Sequence, residues 1–337
     1  MNTKIVYAVV SSEKDCYLEE AYVSMYSARY HNPDAHIVLV VDDNTEKTLV
    51  GQRKEETRFA NEIVVVPLDK SLNGKMRSRI LKTTLREHVK GDMVFIDSDT
   101  LVVKPLDELD NIDADLAGVY DLHSKRYGDC LTYDFGSLRL KKLGWSVCED
   151  DPYFNGGFTF SKDNETTHKY YKLWNENLLY CFSKNIFVDQ PALYHTNCMM
   201  GYIMQPLDGV WDCQVFSGIL YFRDAKVIHY MARKEITEGY KPLFYMMDKS
   251  VLRGVKETGE ISEQTKEVVK DHMTGIAPTI VSIAGEDIAM TKTNLYAFFR
   301  HRLGKWPFKI VNSFIKLLSN IKNKPKHFII GGEFGYK

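Results

Sequence analysis

The chain has 337 residues, 44% of them hydrophobic and 26% charged, enough to bury a core as one large α/β domain with appendages or as two modest domains. A net charge of −1 gives no global reason for a nucleic acid or an acidic polymer as partner. The six cysteines (Cys16, Cys130, Cys148, Cys181, Cys198, Cys213) form no Cys-x-x-Cys pair, which argues against a zinc site and a disulfide-stapled scaffold and for a reduced cytoplasmic protein.

Residues 4–10 read as a buried strand, an apolar run too short for a signal-peptide core or a membrane span, so neither export nor a type II anchor is expected. A helix is predicted from about Leu18 to Tyr30, a second strand over 36–41 and a polar helix from Glu46 to Ala60. The third strand is 62–66, ended by Pro67, followed by a helix over about 75–88 and a fourth strand over 93–96. Continuous Val/Ile runs separated by helices predict a Rossmann-like, doubly wound, mainly parallel α/β sheet covered on both faces. Ligands bind beyond the carboxyl ends of such strands, which singles out Ser11-Ser12, Asp42-Asp43 and Asp97-Ser98-Asp99.

Residues 115–119 read as a further strand and 122–152 as polar loops; Asn155-Gly156-Gly157 leads into a strand at 158–160. A long helix over about 165–182, another beginning near Asp189 and a last strand at 226–229 follow. From Ile288 to Gly332 there are nine Lys/Arg and no Asp/Glu, interleaved with aromatic residues, and 310–318 reads as an apolar helix edged by cations. Such a segment suits either an anionic membrane interface or docking on the protein's own core, and is too apolar for a nucleic-acid arm. The expected organisation is a catalytic domain over 1–245, a helical linker or subdomain over 246–287 and a basic amphipathic tail over 288–337.

A buried strand ending in two carboxylates one residue apart, Asp97 and Asp99, places like charges close together, an arrangement that persists where a cation neutralises them. Oxygen ligands of this kind suit Mg²⁺ or Mn²⁺ bridging to phosphate. His229, at the end of the last strand, is the candidate third ligand.

Asp97-Ser98-Asp99, Tyr153-Phe154-Asn155-Gly156-Gly157-Phe158, Asp189-Gln190, Trp211-Asp212 and Ile228-His229-Tyr230 occur in one order over residues 4–245. As an ordered set they resemble the retaining GT-A glycosyltransferases of family 8, the galactosyl- and glucosyltransferases related to glycogenin. The resemblance implies Mn²⁺ (or Mg²⁺) on Asp97, Asp99 and His229, held against the diphosphate of a nucleotide-sugar donor. It implies nucleoside contacts at Val10, Ser11 and Tyr17, and donor contacts at Arg79, Lys82 and Ser98. Asn155, Gly156 and Gly157 would lie against the donor sugar, and Asp189 and Gln190 near the anomeric carbon. The family commonly follows its histidine with a glycine and then Lys-Pro-Trp; here that glycine is missing and Lys241-Pro242-Leu243 comes late, so the diphosphate lysine falls on Lys241, with Arg233 or Lys234 as substitutes. Trp211 is a core residue or an acceptor platform.

The expected activity is transfer of a hexose from a nucleotide sugar, UDP-linked by the resemblance, to a glycan or lipid-linked acceptor in cell-surface polysaccharide or lipopolysaccharide synthesis. The expected place is the cytoplasm, peripheral at the inner face of the membrane. A sugar nucleotidyltransferase is one alternative, opposed by the absence of a Gly-rich basic loop after the first strand, where Ser11-Ser12-Glu13-Lys14-Asp15 stands. The other is a non-catalytic membrane-associated binding protein on the same fold, which would show no metal-dependent donor binding.

Overall fold

A computed structural model describes residues 1–130, 132–231, 242–276, 293–302 and 305–322. The chain forms two compact units: Met1–Lys234 with Phe244–Ile276, and Glu235–Leu243 with Ala277–Lys337.

The first unit is built on β1 (Lys4–Val9), β2 (Ile37–Asp42), β3 (Glu62–Val66), β4 (Met93–Ile96), β6 (Leu116–Tyr120), β7 (Phe154–Ser161) and β8 (Gln205–Pro206), in the order β3-β2-β1-β4-β7-β6-β8. Of these strands β7 alone runs opposite to the rest, pairing antiparallel with β4 and β6. β1 pairs in parallel with β2 on one side and β4 on the other. The strand order therefore reverses between β1 and β4, and a crevice opens at their carboxyl ends.

Alternation along these strands explains why the sheet is covered twice. Val6, Val38, Val40 and Phe95 face one core, with Leu81, Leu85, Trp174 and Leu193. Ile5, Tyr7, Leu39, Val94 and Ile96 face the other, with Ala21, Met25, Val227 and Trp211. Each such aliphatic side chain, fully buried, contributes about 1.5–3 kcal/mol. The first core is closed by α4 (Gly74–Thr83), α5 (Leu85–His88), α7 (Glu165–Ser183) and α8 (Gln190–Met199), the second by α1 (Tyr17–His31). Trp211 is a core residue, packed on Phe158 with ring centroids 6.1 Å apart.

A second sheet, β5 (Thr100–Val102), β10 (Val227–His229) and β9 (Cys213–Gln214), follows directly from β4. β10 pairs antiparallel with β5, setting His229 opposite Thr100, and parallel with β9, setting it opposite Gln214. The last strand thus belongs to a separate small sheet, and that sheet delivers His229 to the end of β4.

Several predicted elements are corrected. The helix expected over 46–60 is two single turns, α2 (Asp43–Glu46) and α3 (Gln52–Glu55), because Gly51 at φ +54° breaks it in a region that favours glycine. The helix expected over 75–88 breaks at Thr84, where the hydroxyls of Thr83 and Thr84 both bond back to the Ile80 carbonyl. The stretch 122–152 is not all loop: it contains α6 (Tyr133–Lys142). Asn155-Gly156-Gly157 lies inside β7 rather than ahead of it.

Two helices, α9 (Lys249–Thr258) and α10 (Glu263–Lys270), complete the first unit. The Lys256 ammonium bonds to the Asp15 carbonyl and lies 3.2 Å from Glu19, and the Val269 carbonyl meets His31 Nε2 at 2.8 Å. Both contacts fix the segment that follows β1. In the second unit, helices Asn294–Arg302 and Trp306–Lys322 touch through the edge-on rings of Phe299 and Phe308, 5.9 Å apart. No helix among the described residues is long and apolar enough to cross a membrane.

Candidate functional site

The crevice at the carboxyl ends of β1 and β4 is a cleft of about 880 Å³. Its floor is the turn Asp97-Ser98-Asp99 between β4 and β5. The Asp97 amide donates to the Gly157 carbonyl at 2.8 Å, and the Tyr230 amide to the Asp99 carbonyl at 3.1 Å. Backbone bonds from β7 and from the end of β10 therefore hold the two carboxylates against His229. One ligand atom from each of Asp97, Asp99 and His229 lies within 4.8 Å of the others.

His229 is oriented from behind. Its Nδ1 lies 3.1 Å from Oδ1 of Asp212, which is wholly buried, and its Nε2 lies 3.3 Å from Asp99 Oδ1. Burial disfavours charge on this imidazole, but Asp212 and Asp99 outweigh it and push its pKa well above the ordinary value. For Asp97 burial dominates and raises the pKa, with Lys82 opposing; for Asp99 burial is outweighed by His229 and the pKa falls. Asp212 fixes which imidazole nitrogen faces the cluster.

Gly157 explains why the cluster can be so tight. A Cβ there would lie 2.5 Å from His229 Cε1 and 2.9 Å from Asp97 Oδ2, so no side chain fits. At Gly156 a Cβ would crowd Lys82 Nζ at 3.1 Å and Gln190 Oε1 at 3.2 Å.

The second constellation surrounds Asp189. It occupies the position before α8, yet its side chain makes no capping bond. The carboxylate instead meets Lys82 Nζ at 3.1 Å and Arg79 Nε at 3.2 Å. Although burial opposes ionisation, Lys82 and Arg79 hold this carboxyl well below the usual range. Lys82 also lies 3.3 Å from Asp97 Oδ1 and so links the two constellations. Gln190 accepts from the Gly156 amide at 3.1 Å and donates to the Phe154 carbonyl at 2.8 Å, fixing the start of β7. Asn155 accepts from the Gly157 amide at 2.7 Å and donates to Asp121 at 2.8 Å.

The remaining expected positions fall as follows. Val10 and Tyr17 line the cleft, Tyr17 largely exposed. Ser11 is in its wall, but its hydroxyl donates to Asp15 at 2.7 Å and accepts from Arg53 at 3.2 Å. Ser98 Oγ donates to Glu20 at 3.3 Å. Asp42 and Asp43 are not free ligands: Arg77, almost wholly buried, binds both, together with the Leu68 and Asp69 carbonyls, and so ties the ends of β2 and β3 to α4. Lys241, Arg233 and Lys234 lie outside the described residues.

The structure adds residues that the sequence pattern does not mark. Glu20, on α1, lines the cleft with its carboxyl pushed up to about 8 by burial and by the charge of Asp99. Asp212 was visible only beside Trp211, without a role. Lys75, Thr132 and Arg139 also line the cleft, the last two brought there by α6, a helix hidden in a stretch of low apolar periodicity.

No protein-family profile and no curated protein matches the chain. Solved structures similar in backbone course include mouse xyloside xylosyltransferase 1 in its apo form, 11% identical, with a TM-score of 0.48 over 70% of this chain and 100% of that one. Others are the galactosyltransferase LgtC in complex with donor and acceptor sugar analogues, 15% identical, TM-score 0.49, over 79% and 99%, and the glycosyltransferase GlyE of Streptococcus pneumoniae TIGR4, 14% identical, TM-score 0.45, over 83% and 67%.

Proposed function

We propose that the chain is a metal-dependent, GT-A-type glycosyltransferase that moves a hexose from a nucleotide sugar, UDP-linked by the motif resemblance, to a glycan or lipid-linked acceptor with retention of configuration. The observation that carries this reading is the cluster of Asp97, Asp99 and His229 on the floor of an open cleft about 880 Å³ in volume. The residues fit a divalent cation. Two carboxylates and one imidazole offer a hard, borderline donor set, and the imidazole is already oriented by a buried carboxylate. Asp97, Asp99 and His229 would hold Mn²⁺ or Mg²⁺, whose charge offsets that building on the departing diphosphate.

The chain's own side chains supply the rest. The bond from the anomeric carbon to the diphosphate breaks with its electron pair leaving on phosphate, and a bond to the acceptor oxygen forms as the acceptor hydroxyl gives its proton to the departing diphosphate. Asp189, kept ionised between Lys82 and Arg79, faces the positive charge that develops on the carbon. Gln190 acts by positioning, since both ends of its amide hold the start of β7. Asn155 anchors the amide of Gly157, and the two glycines let sugar and backbone approach closely. Val10, Ser11 and Tyr17 border the nucleoside end. The helix Trp306–Lys322, with Trp306, Lys309, Phe314 and Lys316 exposed, supports a peripheral position on an anionic membrane surface.

The test is a thermal-shift screen of UDP-, GDP- and CMP-sugars with and without Mn²⁺. A ligand that binds only the native state raises its melting temperature, by the equivalent of about 2.7 kcal/mol at a hundredfold excess over Kd. A Mn²⁺-dependent shift with one class of nucleotide sugar is expected; a folded protein that responds to none of them overturns the reading.

A further inference from the structure

The cleft contains cations of two kinds. Arg77, Arg79 and Lys82 are each ion-paired with carboxylates. Lys75 and Arg139 line the same cleft exposed, and no hydrogen-bond or ion-pair partner for either side chain stands among the described residues. Of the two, only Arg139 offers a planar guanidinium on a helix that also exposes apolar side chains. A guanidinium that borders a cleft without a carboxylate partner is available to an incoming anion.

Its helix is built to hold it there. Thr132, at the start of α6, donates to Asp121 at 3.3 Å, and Asp121 accepts from Asn155 at 2.8 Å, so α6 is hydrogen-bonded to the segment beside the cation cluster. Thr132, Gly136 and Arg139 present one helical face to the cleft. Beneath that face Tyr127 stacks on Tyr153 with centroids 3.9 Å apart, and Gly136 lies so close to the Tyr127 hydroxyl that a Cβ would collide with it. The adjoining face carries Phe135 and Leu138, 64% and 63% exposed, and beyond them Lys142. The helix thus turns one cation toward the cleft and exposes two apolar side chains and a further cation on the neighbouring part of its surface, outside the cleft lining.

We propose that the acceptor is an anionic amphiphile: a phosphate-bearing headgroup that pairs with Arg139, carried on an apolar chain that lies over Phe135 and Leu138. This rests on the transferase reading and deepens it, because it names the chemical class of the second substrate. Charge complementarity selects the headgroup, and the exposed apolar pair beside Arg139 selects a chain rather than a free sugar phosphate.

The experiment measures binding of three probes to the full chain: decyl phosphate below its critical micelle concentration, decyl glucoside and inorganic phosphate. Decyl phosphate is expected to bind at least about tenfold more tightly than either other probe. Arg139→Gln is expected to cost about tenfold in its affinity, Arg139→Lys less, and Phe135→Ser with Leu138→Ser about tenfold through the lost apolar contact. Arg139 is exposed and has no partner among the described residues, so Arg139→Gln should melt with the wild type. Equal binding of decyl glucoside and decyl phosphate, binding of inorganic phosphate as tight as that of decyl phosphate, or decyl phosphate binding unchanged in Arg139→Gln would each overturn the proposal. The Mn²⁺-dependent nucleotide-sugar shift of the wild type is recorded alongside. If it is present while the probe result fails, the acceptor class alone is wrong; if it is absent, the transferase reading falls with it.

Discussion

Among the described residues Asp212 meets the proposed cation cluster through His229, and that separates its role from that of Asp99. Asp99 stands in the cluster itself, so Asp99→Asn removes a charged ligand and should abolish turnover at any Mn²⁺ concentration while the fold survives. Asp212→Asn keeps a hydrogen-bonding group behind Nδ1 but loses the charge that sets the imidazole orientation and basicity. Partners of this kind typically change metal affinity by about 10–100-fold. Mn²⁺ titration of turnover should therefore show Asp212→Asn recovering at high Mn²⁺ and Asp99→Asn never doing so. Wild-type Mn²⁺ dependence in Asp212→Asn would remove the orienting role, and full activity in a folded Asp99→Asn would remove the cation site. At Gly157 the constraint is steric: even a methyl group meets His229 Cε1 at 2.5 Å. Nothing in the sequence distinguished Gly157 from Gly156; only the approach of β10 does.

At the scale of an element, α6 depends on Gly136. A Cβ at Gly136 would collide with the Tyr127 hydroxyl, and its next contact, Tyr127 Cζ at 3.1 Å, is tight but tolerable. Gly136→Ala should therefore destabilise the protein by about 1–3 kcal/mol through overpacking, and adding Tyr127→Phe should restore most of that loss. A double-mutant cycle in urea checks this, and additive effects would show that the hydroxyl is not the obstacle. The same helix shows where the sequence stops being readable. Strands β1, β2 and β4 were legible because burial on both faces leaves uninterrupted Val/Ile runs. The edge strand β3 was legible from the same kind of run although Ile63 and Val65 are exposed, and the strand-end rule then pointed to Asp97 and Asp99. α6 was read as loop because Tyr133–Lys142 buries only Gly136, Ser137 and Leu140, too few to make a helical stripe. The pairing of Asp42 and Asp43 with Arg77 was equally invisible, since it joins residues 35 and 34 apart on different elements. The carboxylates at that strand end look like ligands until the buried guanidinium is seen.

The whole chain divides its charge unevenly. Nine cations and no acids lie between Ile288 and Gly332, whereas the chain as a whole sums to −1, so the remainder is strongly net acidic and would be repelled by an anionic bilayer. Helix Trp306–Lys322 carries Trp306, Ile310, Phe314 and Leu317 as an exposed stripe at helical spacing, with Lys305, Lys309 and Lys316 exposed beside it. Each basic side chain near an anionic surface contributes about 1 kcal/mol, a contribution that salt screens, while inserted aromatic and aliphatic groups add a contribution that salt leaves intact. The full chain should accordingly bind phosphatidylcholine vesicles only when phosphatidylglycerol is present, and more weakly as salt rises. Replacing Ile310, Phe314 and Leu317 by Ser should weaken that binding by at least about tenfold. A chain ending at Ile276 retains every residue lining the cleft. It should therefore keep the Mn²⁺-dependent nucleotide-sugar shift while losing vesicle binding in a co-sedimentation assay. Undiminished vesicle binding by that shortened chain would place membrane affinity in the cleft-bearing unit and take it from the tail.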